Sequence, residues 1–120
     1  MNTGKRVIIR NRATGEIVAS STRPLRFESN LYFDEQDVNM DLLTVTDRIY
    51  TCSYKGTCFW IDLRDEEGRQ GKPIERDVAW VYRDPFPGYE MIRNKIGFWP
   101  RGSRRLRVEV EKSPKPEGVE

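Results

Sequence analysis

Thr57-Cys-Phe-Trp-Ile-Asp-Leu-Arg64, read with Val78-Ala-Trp-Val-Tyr82, decides what kind of protein this is. With side chains alternating across a strand, the first stretch puts Phe59, Ile61 and Leu63 on one face and Cys58, Trp60 and Asp62 on the other. The second puts Val78, Trp80 and Tyr82 on one face and Ala79 and Val81 on the other. Both segments are apolar on two sides, and the short period and β-branched content make them strands rather than helix.

Working outward, the remaining chain continues this pattern. Val7 to Arg10 and Glu16 to Ser20 form a hairpin closed by Asn11 to Gly15, where Gly15 supplies the positive φ that such a turn demands. Leu25 to Glu28 and Leu31 to Phe33 are extended. The acidic run Asp34, Glu35, Gln36, Asp37 reads as a capped helical turn leading to Val38. Leu43 to Asp47 and Ile49 to Ser53 are β-prone, and Asp65 to Pro73 is a charged, Gly-rich connection. After Asp84 to Gly88, whose Pro85 and Pro87 forbid a helix, Tyr89 to Lys95 reads as a short helix and Ile96 to Trp99 as extended. Leu106 to Glu111 alternates strictly, the pattern of a strand with one wet face. The expectation is a mainly β, single compact domain over residues 1–111, with one or two short helices and a disordered tail over 112–120.

Composition narrows the function classes. A chain of 120 residues is of single-domain size. It is 37% hydrophobic and 33% charged, polar for a globular protein but too rich in aromatic and β-branched residues to read as disordered. No apolar run approaches the roughly 18 to 20 residues that span a bilayer, and the N-terminus lacks a secretory apolar stretch, so a cytoplasmic protein without a membrane partner is expected. The net charge of +2 arises from 21 basic and 19 acidic residues and gives no global drive toward nucleic acid. Two cysteines and no histidine are too few for a structural zinc site, and no cofactor is expected. A bridge between Cys52 and Cys58 would require a tight reversal near Gly56, because an extended stretch would hold the sulfurs roughly 20 Å apart.

The densest cluster of special residue types is Thr51, Cys52, Ser53, Tyr54, Lys55, Gly56, Thr57. In a continuous strand Cys52 and Lys55 point to opposite faces, so they cooperate only if a turn or bulge at Tyr54 to Gly56 rotates one of them. Lys55 could then hold an anion or activate the Cys52 thiol, or act itself as base or nucleophile. The plainer reading makes Cys52 a small core residue and Lys55 a solvated cation. Trp80 and Tyr82 offer an aromatic wall with an N–H and an O–H to orient a bound group, or else ordinary core packing. Asp34, Glu35 and Asp37 could bind a hard cation, but a helical cap explains them more cheaply. Arg101, Arg104, Arg105 and Arg107 near Trp99 could grip phosphates. A solvated edge that discourages aggregation is the favoured reading, and nucleic acid is not the expected partner.

The ordered set Leu31-Tyr-Phe-Asp-Glu-Gln-Asp-Val38, Met40-Asp-Leu-Leu43, Cys52-Ser-Tyr-Lys-Gly-Thr57, Val78-Ala-Trp-Val-Tyr82, Asp84-Pro85 and Ile96-Gly-Phe98 resembles the domain of unknown function 427 family over about Val7 to Pro100. The resemblance implies coiled antiparallel β-sheets of the tent-like or Mss4-like kind, with a pocket between sheets that Cys52, Lys55, Gly56, Trp80 and Tyr82 would line or support. The chain departs from the pattern at Ser53 and Asp34, where proline is common, and it lacks a histidine near Thr51 that some relatives carry. Histidine acid–base chemistry is thereby ruled out. The family is sometimes labelled nucleotidyltransferase-like, a chemistry that needs paired carboxylates on Mg²⁺ and a phosphate-binding turn. Gly102-Ser103 is only a faint echo of such a turn, and no Asp-x-Asp follows it. The expected function is therefore a pocket for an unidentified small polar or anionic metabolite, with catalysis left open and Cys52, Tyr54, Lys55, Gly56, Trp80 and Tyr82 as its candidate residues. The alternative is a module that engages a protein or nucleic acid without catalysis.

Overall fold

The computed structural model describes residues 5–64 and 73–112. Among the described residues nine strands follow one another: β1 (Lys5–Asn11), β2 (Ile17–Ser21), β3 (Leu25–Phe27), β4 (Asn30–Phe33), β5 (Leu43–Cys52), β6 (Gly56–Leu63), β7 (Glu75–Tyr82), β8 (Ile96–Phe98) and β9 (Leu106–Lys112). They make a three-stranded sheet, β2-β1-β9, and a six-stranded sheet, β3-β4-β8-β7-β6-β5, with every strand pair antiparallel. The mainly β architecture read from the sequence is the observed one.

The alternation in β6 and β7 explains the layering. Ile61, Leu63, Ala79 and Val81 join Leu31, Phe33, Ile96 and Phe98 of the same sheet and Val7, Ile9, Val18 and Leu106 of the smaller sheet in one buried core. This closes the inner face of the large sheet. Its outer face carries a second cluster, built on Tyr32, Cys58, Trp80, Tyr82 and Ile92. A sheet that buries apolar groups on both faces must be apolar on both sides of its central strands, which is the pattern of β6 and β7.

Val78 departs from the alternation. It packs into the inner core instead of sharing a face with Trp80 and Tyr82. The cause is a bulge: Ile61 pairs with Ala79 and Leu63 with Glu75, so residues 76–78 oppose Asp62 alone, and Asp77 takes φ +58°. A second bulge lies across β6, where Val45 pairs with Ile61 and Ile49 with Phe59, merging the two expected β segments into one strand, β5.

The expected helical turn and short helix shrink to 3-10 turns at Glu35–Asp37 and Glu90–Ile92, and a further 3-10 turn that the sequence reading did not expect lies at Met40–Leu42. The first lacks the expected side-chain cap, because the Asp34 carboxylate is drawn instead to the Lys95 ammonium. In the first hairpin Gly15 has φ +80°, as its turn requires. Strand β9 keeps only part of its expected dry face, since Leu106 is buried and Val110 is exposed. Most of the Asp65 to Pro73 connection and all of the tail after Lys112 lie outside the described residues.

Candidate functional site

Strand register places the outer-face side chains in two rows. Tyr32 of β4 pairs with Gly97 of β8, Gly97 with Trp80 of β7, and Trp80 with Trp60 of β6. Tyr82 of β7 pairs with Cys58 of β6, and Cys58 with Tyr50 of β5. Gly97 is the gap that lets the first row close. A Cβ at that position would stand 2.5 Å from Trp80 Nε1 and 2.9 Å from Tyr32 Cε2, inside van der Waals contact. Over the bare backbone the Trp80 indole N–H donates to the Tyr32 hydroxyl at 3.2 Å, with the rings edge to face at 6.0 Å.

Trp99, just beyond β8, completes an aromatic triangle. Its ring centroid lies 4.7 Å from that of Trp80, and it stacks on Trp60 at 6.3 Å with 27° between planes. Trp60 and Trp80 meet edge on at 6.2 Å. Trp99 is held by its indole N–H, which donates to the Asp77 carbonyl at 3.4 Å, and Asp77 is itself fixed within the β7 bulge. There the buried Asp62 carboxylate accepts from the Asp77 N–H at 3.0 Å, and Arg48 bridges the carboxylates of Asp62 and Asp77. The two bulges thus position one wall.

These rings bound a cavity of about 310 Å³, lined by six aromatic side chains together with Asn30, Cys58 and Lys55. Lys55 enters because the chain reverses at residues 53–55, the turn on which its cooperation with Cys52 depended, although Cys52 itself does not line the cavity. The turn is fixed by the Phe86 N–H, which donates to the Lys55 carbonyl at 2.8 Å, and by Gly56 at φ +107°, where a Cβ would stand 3.4 Å from the Asp84 carbonyl oxygen and the Phe86 nitrogen. The Lys55 ammonium pairs with Glu28 and lies 6.0 Å from the centroid of the Tyr82 ring.

Protonation follows from burial and partners. Burial works to lower the Lys55 pKa, but the hydrogen bond to Glu28 and the neighbouring Tyr32, Glu28 and Cys52 outweigh it, and the net shift is upward. Lys55 is therefore held in its cationic form. Burial raises the pKa of Tyr32, of Tyr82 and of the Cys58 thiol, keeping all three neutral near pH 7. The cavity thus offers one positive charge and neutral hydroxyl and thiol donors against an aromatic surround.

Of the residues singled out in the sequence, Lys55, Trp80 and Tyr82 meet at this cavity. Gly56 is buried in the supporting turn. Cys52 pairs with Gly56 at the end of β5, half-buried and outside the lining, while Cys58 lies inside it; both thiols are free. Tyr54 is 72% exposed at the turn tip and does not line the cavity. The acidic run is engaged elsewhere, Asp34 with Lys95 and Glu35 with Arg83. Arg101, Arg104, Arg105 and Arg107 are exposed, and Arg107 pairs with Glu109.

Sequence reading missed Tyr32, Asn30, Tyr50, Cys58, Trp60 and Trp99 as lining residues, and Gly97 as the position that admits them. Two signals were available: Trp60 shares a face with Cys58, and a glycine inside an apolar strand marks a close approach. Trp99 carried no such signal, since its place depends on a bulge more than twenty residues away in the chain.

The sequence model of the family described as Domain of unknown function (DUF427) matches residues 2–113 of this chain. No curated protein matches it.

Proposed function

The chain belongs to the domain of unknown function 427 family, a membership that brings no activity with it, and we propose that its outer-face cavity binds a small metabolite with a flat apolar body and an anionic end. The observation that carries this reading is the meeting of six aromatic side chains and one largely buried ammonium in a single cavity. A core needs no lysine, and a solvated lysine needs no aromatic surround. At about 310 Å³ the space suits one or two rings, at the small end of metabolite sites.

In this reading Lys55 anchors the anion and the Tyr32 hydroxyl, which already accepts from Trp80, turns its own proton toward the same end. Trp60, Trp80 and Trp99 cover the faces of the flat body. The direction of every resolved shift in the cavity favours binding over acid–base chemistry, because Lys55, Tyr32, Tyr82 and Cys58 all hold their protons more firmly than usual.

The test is equilibrium binding of a panel of aromatic monocarboxylates, followed by tryptophan fluorescence, to the wild-type protein and to Lys55→Met. The wild type binds members of the panel, whereas the variant loses at least about tenfold in affinity with a melting temperature within a few degrees of the parent. Equal affinity in the two proteins would remove Lys55 as the anchor. Collapse of the fold in the variant would make Lys55 structural.

A further inference from the structure

Lys55 already has a carboxylate, and where that carboxylate stands bears on what the cavity accepts. Glu28 is carried by the two-residue turn between β3 and β4, where Phe27 pairs with Asn30 and Glu28 and Ser29 take φ values of +52° and +67°. This is the geometry of a tight hairpin turn, adopted here without glycine. The same hairpin contributes Asn30 to the cavity lining, so Glu28 stands at the rim.

The two partners of the ion pair are unequally exposed. The Lys55 side chain is 14% exposed and that of Glu28 47%. A cation so withdrawn from water needs an anion beside it in every state, because leaving it unpaired forfeits its hydration without return. Glu28 has no such need, since swinging outward returns its carboxylate to solvent at little cost.

Resting on the reading of the cavity given above, we infer that Glu28 is the resident counter-ion of Lys55 and that ligand binding exchanges it for the ligand's own carboxylate. The cavity is accordingly selective for planar monocarboxylates. One negative charge replaces another beside the ammonium, so the local charge balance is unchanged. A neutral ring of the same shape cannot displace Glu28, because it would leave Lys55 without a counter-charge. Glu28 thus competes with the ligand's carboxylate for Lys55 and weakens binding of the anion, whereas a neutral analogue, which leaves the Glu28–Lys55 pair in place, is indifferent to it.

The experiment is calorimetric titration of indole-3-carboxylate and of indole-3-carboxamide into wild type, Glu28→Gln, Lys55→Met and the double variant. Removing the resident charge tightens carboxylate binding about tenfold in Glu28→Gln, leaves the carboxamide within about twofold, and has no effect on either compound in the Lys55→Met background. Melting curves and near-ultraviolet circular dichroism of Glu28→Gln match the parent, the substitution being at a half-exposed turn. Carboxylate binding that is equal in wild type and Glu28→Gln, or weaker in the variant, overturns the exchange and leaves the proposed site standing. If neither compound binds any of the four proteins, both the exchange and the site reading fall.

Discussion

The two faces of the six-stranded sheet are built on the same strands and do different things. The inner face presents Ile61, Leu63, Ala79, Val81, Ile96 and Phe98 to a second sheet, and nearly all of that surface is removed from water. The outer face presents Trp60, Trp80, Tyr82, Cys58 and Tyr32, and its rings cover one another instead of being covered by another layer. Aliphatic side chains can fill a closed space but offer nothing directional. Tyr and Trp bury comparable area while keeping an O–H or N–H to place. The difference teaches that burial alone does not mark a core: Trp80 and Tyr82 are as withdrawn from water as the inner residues, yet they bound an open cavity.

Three substitutions would break or sharpen this contrast. The largest effect belongs to the inner face. Phe98 is fully buried and edge to face with Phe33 at 5.6 Å, and Phe98→Ala should cost about 3–5 kcal/mol in chemical denaturation, enough to threaten the folded state. A cost near zero would mean that the two sheets do not share a tightly packed core.

An intermediate effect is expected at the strand that both faces share. Gly97→Ala adds a single methyl group where Trp80 and Tyr32 lie over the backbone, and should cost about 1–3 kcal/mol through overpacking. The indole N–H resonance of Trp80 should shift as its bond to Tyr32 is broken. An unperturbed Trp80 signal would show that the rings need no glycine beneath them.

The smallest loss of stability is expected at the cavity mouth. Trp99 is 38% exposed and held by ring contacts and one long hydrogen bond, so Trp99→Ala should cost only about 1 kcal/mol while weakening aromatic monocarboxylate binding severely. A loss as large as that of Phe98→Ala, with binding intact, would make the outer cluster a second core and erase the distinction between the faces.

Much of this contrast is legible in the chain. The alternation in 57–64 assigns Ile61 and Leu63 to one face and Cys58 and Trp60 to the other, and that in 78–82 puts Trp80 and Tyr82 on a common face. Reading failed where pairing partners, not neighbours in sequence, decide direction. Val78 follows the period on paper, but the bulge opposite Asp62 sends it to the inner core. Cys52 looks equivalent to Cys58 in composition, yet register sets the first against Gly56 and the second between Tyr50 and Tyr82.

The sequence by itself determined the mainly β class and the two-sided strands at the centre of the large sheet, because side-chain alternation is a local property of consecutive residues, while the turn near Gly56 stood in it only as a condition. Only the tertiary structure decided that Lys55 would face Tyr82 with Glu28 as its partner, that Gly97 would open room for Trp80, and that Trp99 would close the wall from Asp77. Those contacts join residues 17 to 27 positions apart through strand register and two bulges. No local period encodes such distances, and it is the pairing of strands that sets them.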